Sequence, residues 1–181
     1  LKAKGSEFAY GSCGMGGIQH LAAELYKYKA GVTMTHSAYR GCNPAVADTV
    51  SGQIPLSMLS ANVAIPYVKS GKLRAIAAST KGRIPSAPDV PTFAESGIPA
   101  LADYDTDIWY GLMVPVATPQ PIVRKLQAEV RRILDTPEMK QRMAGGGIEW
   151  LSGSGDEMMA VLKSDIAKFR EVAKVADIKP E

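Results

Sequence analysis

Between residues 7 and 79 short apolar runs alternate with helix-forming stretches, and Gly, Pro, Ser or Asn marks each change of period. No other feature constrains the fold as strongly. The order reads β-α-β-α-β-α-β, and such alternation is satisfied by a mainly parallel sheet covered by helices. The expected strands are Phe8 to Gly11, Val32 to Ser37, Ile54 to Leu59 and Leu73 to Ser79. The expected helices are Gly16 to Lys29, Pro44 to Ser51 and Val63 to Ser70, with Asn43 as an N-cap, Gly52 as a left-handed stop and Pro66 shortening or bending the third helix.

From Thr80 to Ala102 prolines at 85, 88, 91 and 99 mark a connecting segment around one small helix, with capping-box spacing from Thr92 to Glu95 and an end at Gly97. Ile108 to Val114 reads as a buried strand, and Pro115 and Pro119 bracket a hinge or domain crossing into a helical tail. In that tail Ile122, Leu126, Val130 and Ile133 fall at helical spacing behind Thr118-Pro119. Thr136-Pro137 opens a short helix that stops at Gly145, and a short strand is expected near Ile148 to Leu151. Ser154 and Glu157 have capping-box spacing ahead of an apolar stripe of Met158, Leu162, Ile166, Phe169 and Ala173.

Charge and hydropathy exclude several classes. The 21 Lys and Arg against 18 Asp and Glu give a net charge of +3, spread evenly, so no basic stripe tracks phosphates and nucleic acid is not an expected partner. The longest apolar run, Ile108 to Ala117, contains Gly111 and Pro115 and falls well short of the roughly 20 residues that span a bilayer. The chain opens on Leu1-Lys2-Ala3-Lys4-Gly5 without a signal-peptide pattern, which reads as a mature or truncated product. Two cysteines are too few for a zinc site with paired-ligand spacing, and no cofactor is expected.

Two loops carry the chemistry. Tyr10-Gly11-Ser12-Cys13-Gly14-Met15-Gly16-Gly17 leaves a strand and enters a helix, so backbone N–H groups and a positive helix end can converge on a carboxylate or phosphate. Nucleotide-loop patterns fail: Gly17 and Ile18 stand where a Lys and a hydroxyl residue are needed, and Gln19 where a third Gly is needed. A tight turn without ligand is the competing reading. Ser37-Ala38-Tyr39-Arg40-Gly41-Cys42-Asn43-Pro44 repeats the arrangement after the second strand, where Tyr39 offers a hydroxyl and Arg40 a charge or a plain surface residue. At the carboxyl edge of a parallel sheet the two loops face one cleft.

Catalysis fits less well. His20 should lie some 10 Å from Cys13, at about 1.5 Å of rise per residue, and His36 is better placed but lacks an acidic residue to orient it. Asp103, Asp105 and Asp107 would share a strand face and read as a solvated edge in preference to a cation site.

Taken together, these segments resemble the receptors of tripartite tricarboxylate transporters, the Bug-type periplasmic solute-binding proteins. Tyr10-Gly11-Ser12-Cys13-Gly14 with Gly16 and His20-Leu21-Ala22 is similar to the family's Tyr-Gly-Ser-Ser-Gly loop and helix. Tyr39-Arg40-Gly41-Cys42 with Pro44-Ala45 is similar to its Tyr-Lys-Gly-Ser segment. Gly52-Gln53, Ser70 to Ala75, Pro88 to Thr92 and Trp109-Tyr110-Gly111 through Pro119 follow in the same order. Cys13 and Cys42 depart from the usual serines, and Leu59 from a frequent acidic residue.

The resemblance implies an α/β fold of the type II periplasmic-binding-protein kind: one complete lobe with a parallel-rich sheet at 1–112, plus the returning helical part of the second lobe at 113–181, whose N-terminal half is absent. It implies a non-enzymatic periplasmic receptor that captures a small carboxylate and delivers it to the transporter's membrane subunits. The implied ligand-binding residues are Ser12, Cys13, Gly14, Gly16, Tyr39, Gly41 and Cys42, with no catalytic or metal residue. A hydrolase using Cys or Ser with His is the alternative. Two further expectations follow: free thiols at Cys13 and Cys42 in preference to a bridge, because a bridge would crowd two loops that need room for ligand, with a disulfide as the alternative if their Cα atoms lie within about 7 Å in an oxidising compartment; and a tail that packs against missing N-terminal residues or self-associates.

Overall fold

The computed structural model describes residues 8–150 and 153–178. At its centre β1 (Ala9–Ser12) pairs in parallel with β2 (Thr35–Ala38), setting Ala9 opposite Thr35, Tyr10 opposite His36, Gly11 opposite Ser37 and Ser12 opposite Ala38. The crossover between them is α1 (Ile18–Ala30), which stops at Gly31 in the left-handed conformation. α2 (Cys42–Ser51) follows β2 and ends at left-handed Gly52; α3 (Ala61–Lys69) contains Pro66. Two 3₁₀ turns, Ala94–Ser96 and Pro99–Leu101, precede α4 (Gln120–Leu134), α5 (Pro137–Gly145) and α6 (Gly155–Val175).

The expected third and fourth strands shrink to single bridges. From the Ile54 to Leu59 run only Ser57 bridges Gly11, through Gly11 N–H to Leu56 O at 2.9 Å and Met58 N–H to Gly11 O at 2.9 Å. From Leu73 to Ser79 only Ala78 bridges Thr92, and Ile76 is exposed. Ile108 to Val114 is extended but unpaired and surface-lying, with Tyr110, Leu112 and Met113 exposed, because no strand runs beside it among the described residues. Residues 148–150 form no strand either, and Leu151 lies outside the described residues.

Helix ends follow local chemistry closely. Ser154 and Glu157 form the capping box of α6, Thr136 accepts from Met139 N–H at the start of α5, and Thr92 and Glu95 exchange the same pair of bonds. α2 departs from expectation: its cap is Gly41 at φ 107°, so it starts earlier and Asn43 lies inside the helix.

The core has two parts. Leu25, Ala30, Val32, Leu101, Tyr104 and Val172 cluster on one side, and Tyr10, Ala23 and Met34 on the other. The Tyr104 hydroxyl donates to Ala22 O at 2.6 Å, which satisfies a buried phenol and ties the post-turn segment to α1. α6 brings Phe169 and Val172 into the first cluster, so its stripe divides. The C-terminal half packs on α1; nearer the start Met158 and Leu162 are partly buried and Ile166 is exposed, while Met159 and Val161 beside the stripe are exposed, as are Ile122, Leu126 and Ile133 of α4.

Leu101 is fully buried at the meeting point of α1, α6 and the second 3₁₀ turn. Leu101→Ala should lower the unfolding free energy by about 2–5 kcal/mol in urea titration. A loss within experimental error would show that this cluster does not hold α6.

Candidate functional site

Parallel pairing puts the carboxyl ends of β1 and β2 at one edge, and the two expected loops emerge there side by side. Tyr39 N–H donates to Ser12 O at 3.2 Å and Gly41 N–H to Cys13 O at 3.0 Å. Just beyond these bonds Cys13 and Cys42 are joined in a disulfide, with Cα atoms 4.2 Å apart. The free thiols expected from the sequence are therefore corrected. The bridge and the two backbone bonds together join the loops at this edge.

Past the bridge both loops enter helices that no side chain caps. α1 begins behind Gly17 and α2 behind Gly41. Their first-turn N–H groups and partial positive charge are available to an anion. Gly14 (φ 157°), Gly16 (φ 67°) and Gly41 (φ 107°) occupy conformations that side chains disfavour, and their own N–H groups are held internally by Ser12 Oγ, His20 Nδ1 and Cys13 O, which fixes the loops ahead of the two helix starts. Met15 is half exposed and Cys13, Gly14, Gly41 and Cys42 are partly exposed.

Ser12 is placed differently from the rest of the predicted set. It is fully buried, and its Oγ contacts His36 Nε2 at 2.7 Å, donates to Gly14 O at 3.0 Å and accepts from Gly14 N–H at 3.3 Å. It braces the loop from below. The Tyr39 hydroxyl donates to Asp48 at 2.8 Å, and this bond raises its pKa; Arg40 stands exposed on the rim.

A polar layer that sequence reasoning missed supports the loop. His20 accepts from Gly16 N–H through Nδ1 at 3.1 Å and stacks on His36 with ring centroids 3.8 Å apart. Tyr10, opposite His36 in register, stacks on its other side at 4.9 Å and donates to Glu24 at 2.7 Å. Lys27 Nζ donates to the same Glu24 oxygen at 2.8 Å. The available signal was the spacing of Gly16, His20, Glu24 and Lys27, which shares one helix face, together with Tyr10 and Ser12 alternating on one strand face.

The three aspartates do not share a strand. Asp103 pairs with Lys29 at 2.7 Å, Asp105 accepts from Lys81 N–H at 3.1 Å, and Asp107 accepts from Ile108 N–H at 2.7 Å.

The Ser12–His36 contact also bears on catalysis. The buried Ser12 hydroxyl is inaccessible to a substrate, and burial with His20 alongside pushes His36 down to about 4. Such an imidazole is a poor base at neutral pH.

The family model of the tripartite tricarboxylate transporter family receptor matches residues 1–178. A UPF0065 protein of Bordetella bronchiseptica is 31% identical over 178 residues, covering 98% of this chain and 52% of that relative. A solved R. palustris protein with adipate superposes with a TM-score of 0.89 at 30% identity, over 99% of this chain and 59% of its own. MatC from Rhodopseudomonas palustris, solved with bound malate, gives a TM-score of 0.78 at 26% identity, over 94% of this chain and 58% of its own.

The architecture is thus α/β of the type II periplasmic-binding-protein kind, shared with solved proteins such as the periplasmic binding protein BugD. The chain belongs to the tripartite tricarboxylate transporter receptor family. It spans about half the length of curated relatives such as these.

Two outcomes follow from this geometry. The bridge closes a sequence separation of 29, so its reduction should cost about 3.6 kcal/mol in the chain-entropy model, read from urea midpoints with and without reductant. Midpoints that coincide would contradict it.

The second concerns pH. Burial lowers both histidines, His36 to about 4; Glu24 opposes the shifts and Lys27 adds to them. A histidine depressed in the fold stabilises fully above its unfolded value of about 6.5, and that contribution is lost as pH falls towards 4. With allowance for partial exposure, His36 should account for about 2 kcal/mol of the stability lost over that window. His36→Asn should flatten that part of the profile, and an unchanged slope would refute the assignment.

Proposed function

We propose that the protein is the carboxylate-capturing receptor of a tripartite tricarboxylate transporter, working in the periplasm and handing its ligand to the transporter's membrane subunits. The observation that carries the reading is the pair of uncapped helix starts brought together at one sheet edge, within a chain of this receptor family. Carboxylates match a cradle of backbone N–H groups and positive helix ends. The neighbours solved with adipate and with malate supply the ligand class. The disulfide fits an oxidising compartment.

In this reading Cys13, Gly14, Gly16, Gly41 and Cys42 line the ligand space, the first-turn amides of α1 and α2 are the donors because the Gly14, Gly16 and Gly41 N–H groups are held by Ser12, His20 and Cys13, Tyr39 forms a wall, and Ser12 holds the loop from beneath. Residues 1–112 act as the ligand-holding lobe and 113–181 as the returning part of the other. The exposed faces of α4 and α6 then belong against that other lobe, and in the chain alone they favour self-association.

Calorimetric titration of the complete protein with C4 to C6 dicarboxylates tests the reading. Saturable binding without product is expected, with stabilisation of about 2.7 kcal/mol at ligand 100 times above its dissociation constant. Turnover of an ester substrate, or no binding across the panel, would contradict it.

A further inference from the structure

The loops that form the cradle are built from the most permissive backbone in the chain. Gly14, Gly16 and Gly41 all sit at positive φ, and Gly16 and Gly41 have open space where a side chain would project. Such segments lose the most conformational freedom on ordering. Among the described residues two backbone bonds link the loops, from Tyr39 to Ser12 on the strand side of the bridge and from Gly41 to Cys13 at the bridge itself. On the ligand side the sole connection among the described residues is the sulfur–sulfur bond.

Its attachment points are specific. Cys42 is the first residue of α2, and Cys13 sits next to Gly14, whose N–H and C=O are both fixed by Ser12. The bond therefore transmits the placement of one helix start to the loop that feeds the other. Both cysteines retain partial exposure, so reductant reaches them.

We propose that the Cys13–Cys42 disulfide is a positioning bond of the cradle: it holds the two loops at the spacing that lets both helix starts engage one small carboxylate ligand. This rests on the receptor reading above. The sulfurs present no hydroxyl donor, so the contribution is geometric. Preorganisation of this kind raises affinity by removing the cost of ordering loops on binding.

Adipate and malate serve as probes, titrated calorimetrically into the complete protein in three forms: oxidised wild type, wild type reduced with a phosphine that supplies two electrons and leaves two thiols, and Cys13→Ser/Cys42→Ser. Both bridgeless forms should bind about tenfold more weakly than the oxidised protein, comparable to losing one hydrogen bond to a charged group. The serine pair supplies two hydroxyls of similar size, so weakened binding there assigns the effect to the bond and not to the atoms.

Leu101→Ala is the control, because it lowers stability without touching the loops. Its affinity should equal that of wild type. Bridgeless forms that bind as tightly as the oxidised protein overturn the proposal, as does a Leu101→Ala chain weakened to the same degree, which would make the bridge a general stabiliser. Loss of far-UV helical signal on removing the bridge also overturns it, by making the bond a folding staple. An oxidised protein that binds neither acid removes the receptor reading, and the positioning role with it.

Discussion

Everything at the candidate site depends on four residues of β1 lying parallel to four of β2. Parallel pairing forces both strands to finish at one edge, and the chain leaves each strand through a glycine-bearing loop into a helix. Two helix starts are thereby delivered to the same place. The register matters as much as the direction. With Tyr10 opposite His36, the next inward-facing residue, Ser12, comes within 2.7 Å of the His36 ring and supports the loop above it. A slip of one residue would turn these side chains to the opposite face.

Beneath the loop, the structure spends polar groups where an apolar core would be simpler. Tyr10, His20, Glu24, Lys27 and His36 form one contiguous layer, and nearly every member has a named partner. Buried polar groups are costly when unpaired and specifying when satisfied. Here the layer fixes the backbone directly: His20 holds Gly16 N–H, and Ser12 holds Gly14 on both its N–H and its C=O. Both glycines belong to the loop that meets the ligand in the receptor reading. Neutral histidines suit this task, since a protonated His20 Nδ1 has no lone pair for the Gly16 amide.

Local features were legible in the sequence. The capping boxes at Ser154 and Thr92, the Thr136-Pro137 start and the glycine stops at 52 and 97 depend on neighbours within four residues, and the helices fall close to where periodicity places them. The two glycine loops were legible because a strand, a turn and a helix follow in immediate succession. What failed needed information from a distance. Ile54 to Leu59 and Leu73 to Ser79 have strand-like composition, yet a strand exists only as far as a partner pairs with it, and each run meets its neighbour at a single bridge, with Ile76 left exposed. The disulfide was misjudged because sequence gives no distance between loops 29 residues apart, and the backbone bonds that already joined them were invisible. Ser12 read as a ligand contact from the loop motif alone; only the register with β2 shows its hydroxyl facing inward to His36.

The central claim is that backbone amides of two disulfide-linked loops hold a carboxylate. The most direct measurement is amide chemical-shift mapping of the complete protein titrated with malate or adipate. The account predicts the largest shifts at Cys13 to Gln19 and at Gly41 to Asn43, with smaller ones at His20 and His36. Shifts concentrated on α4 or α5, with the two loops unmoved at saturation, would contradict it.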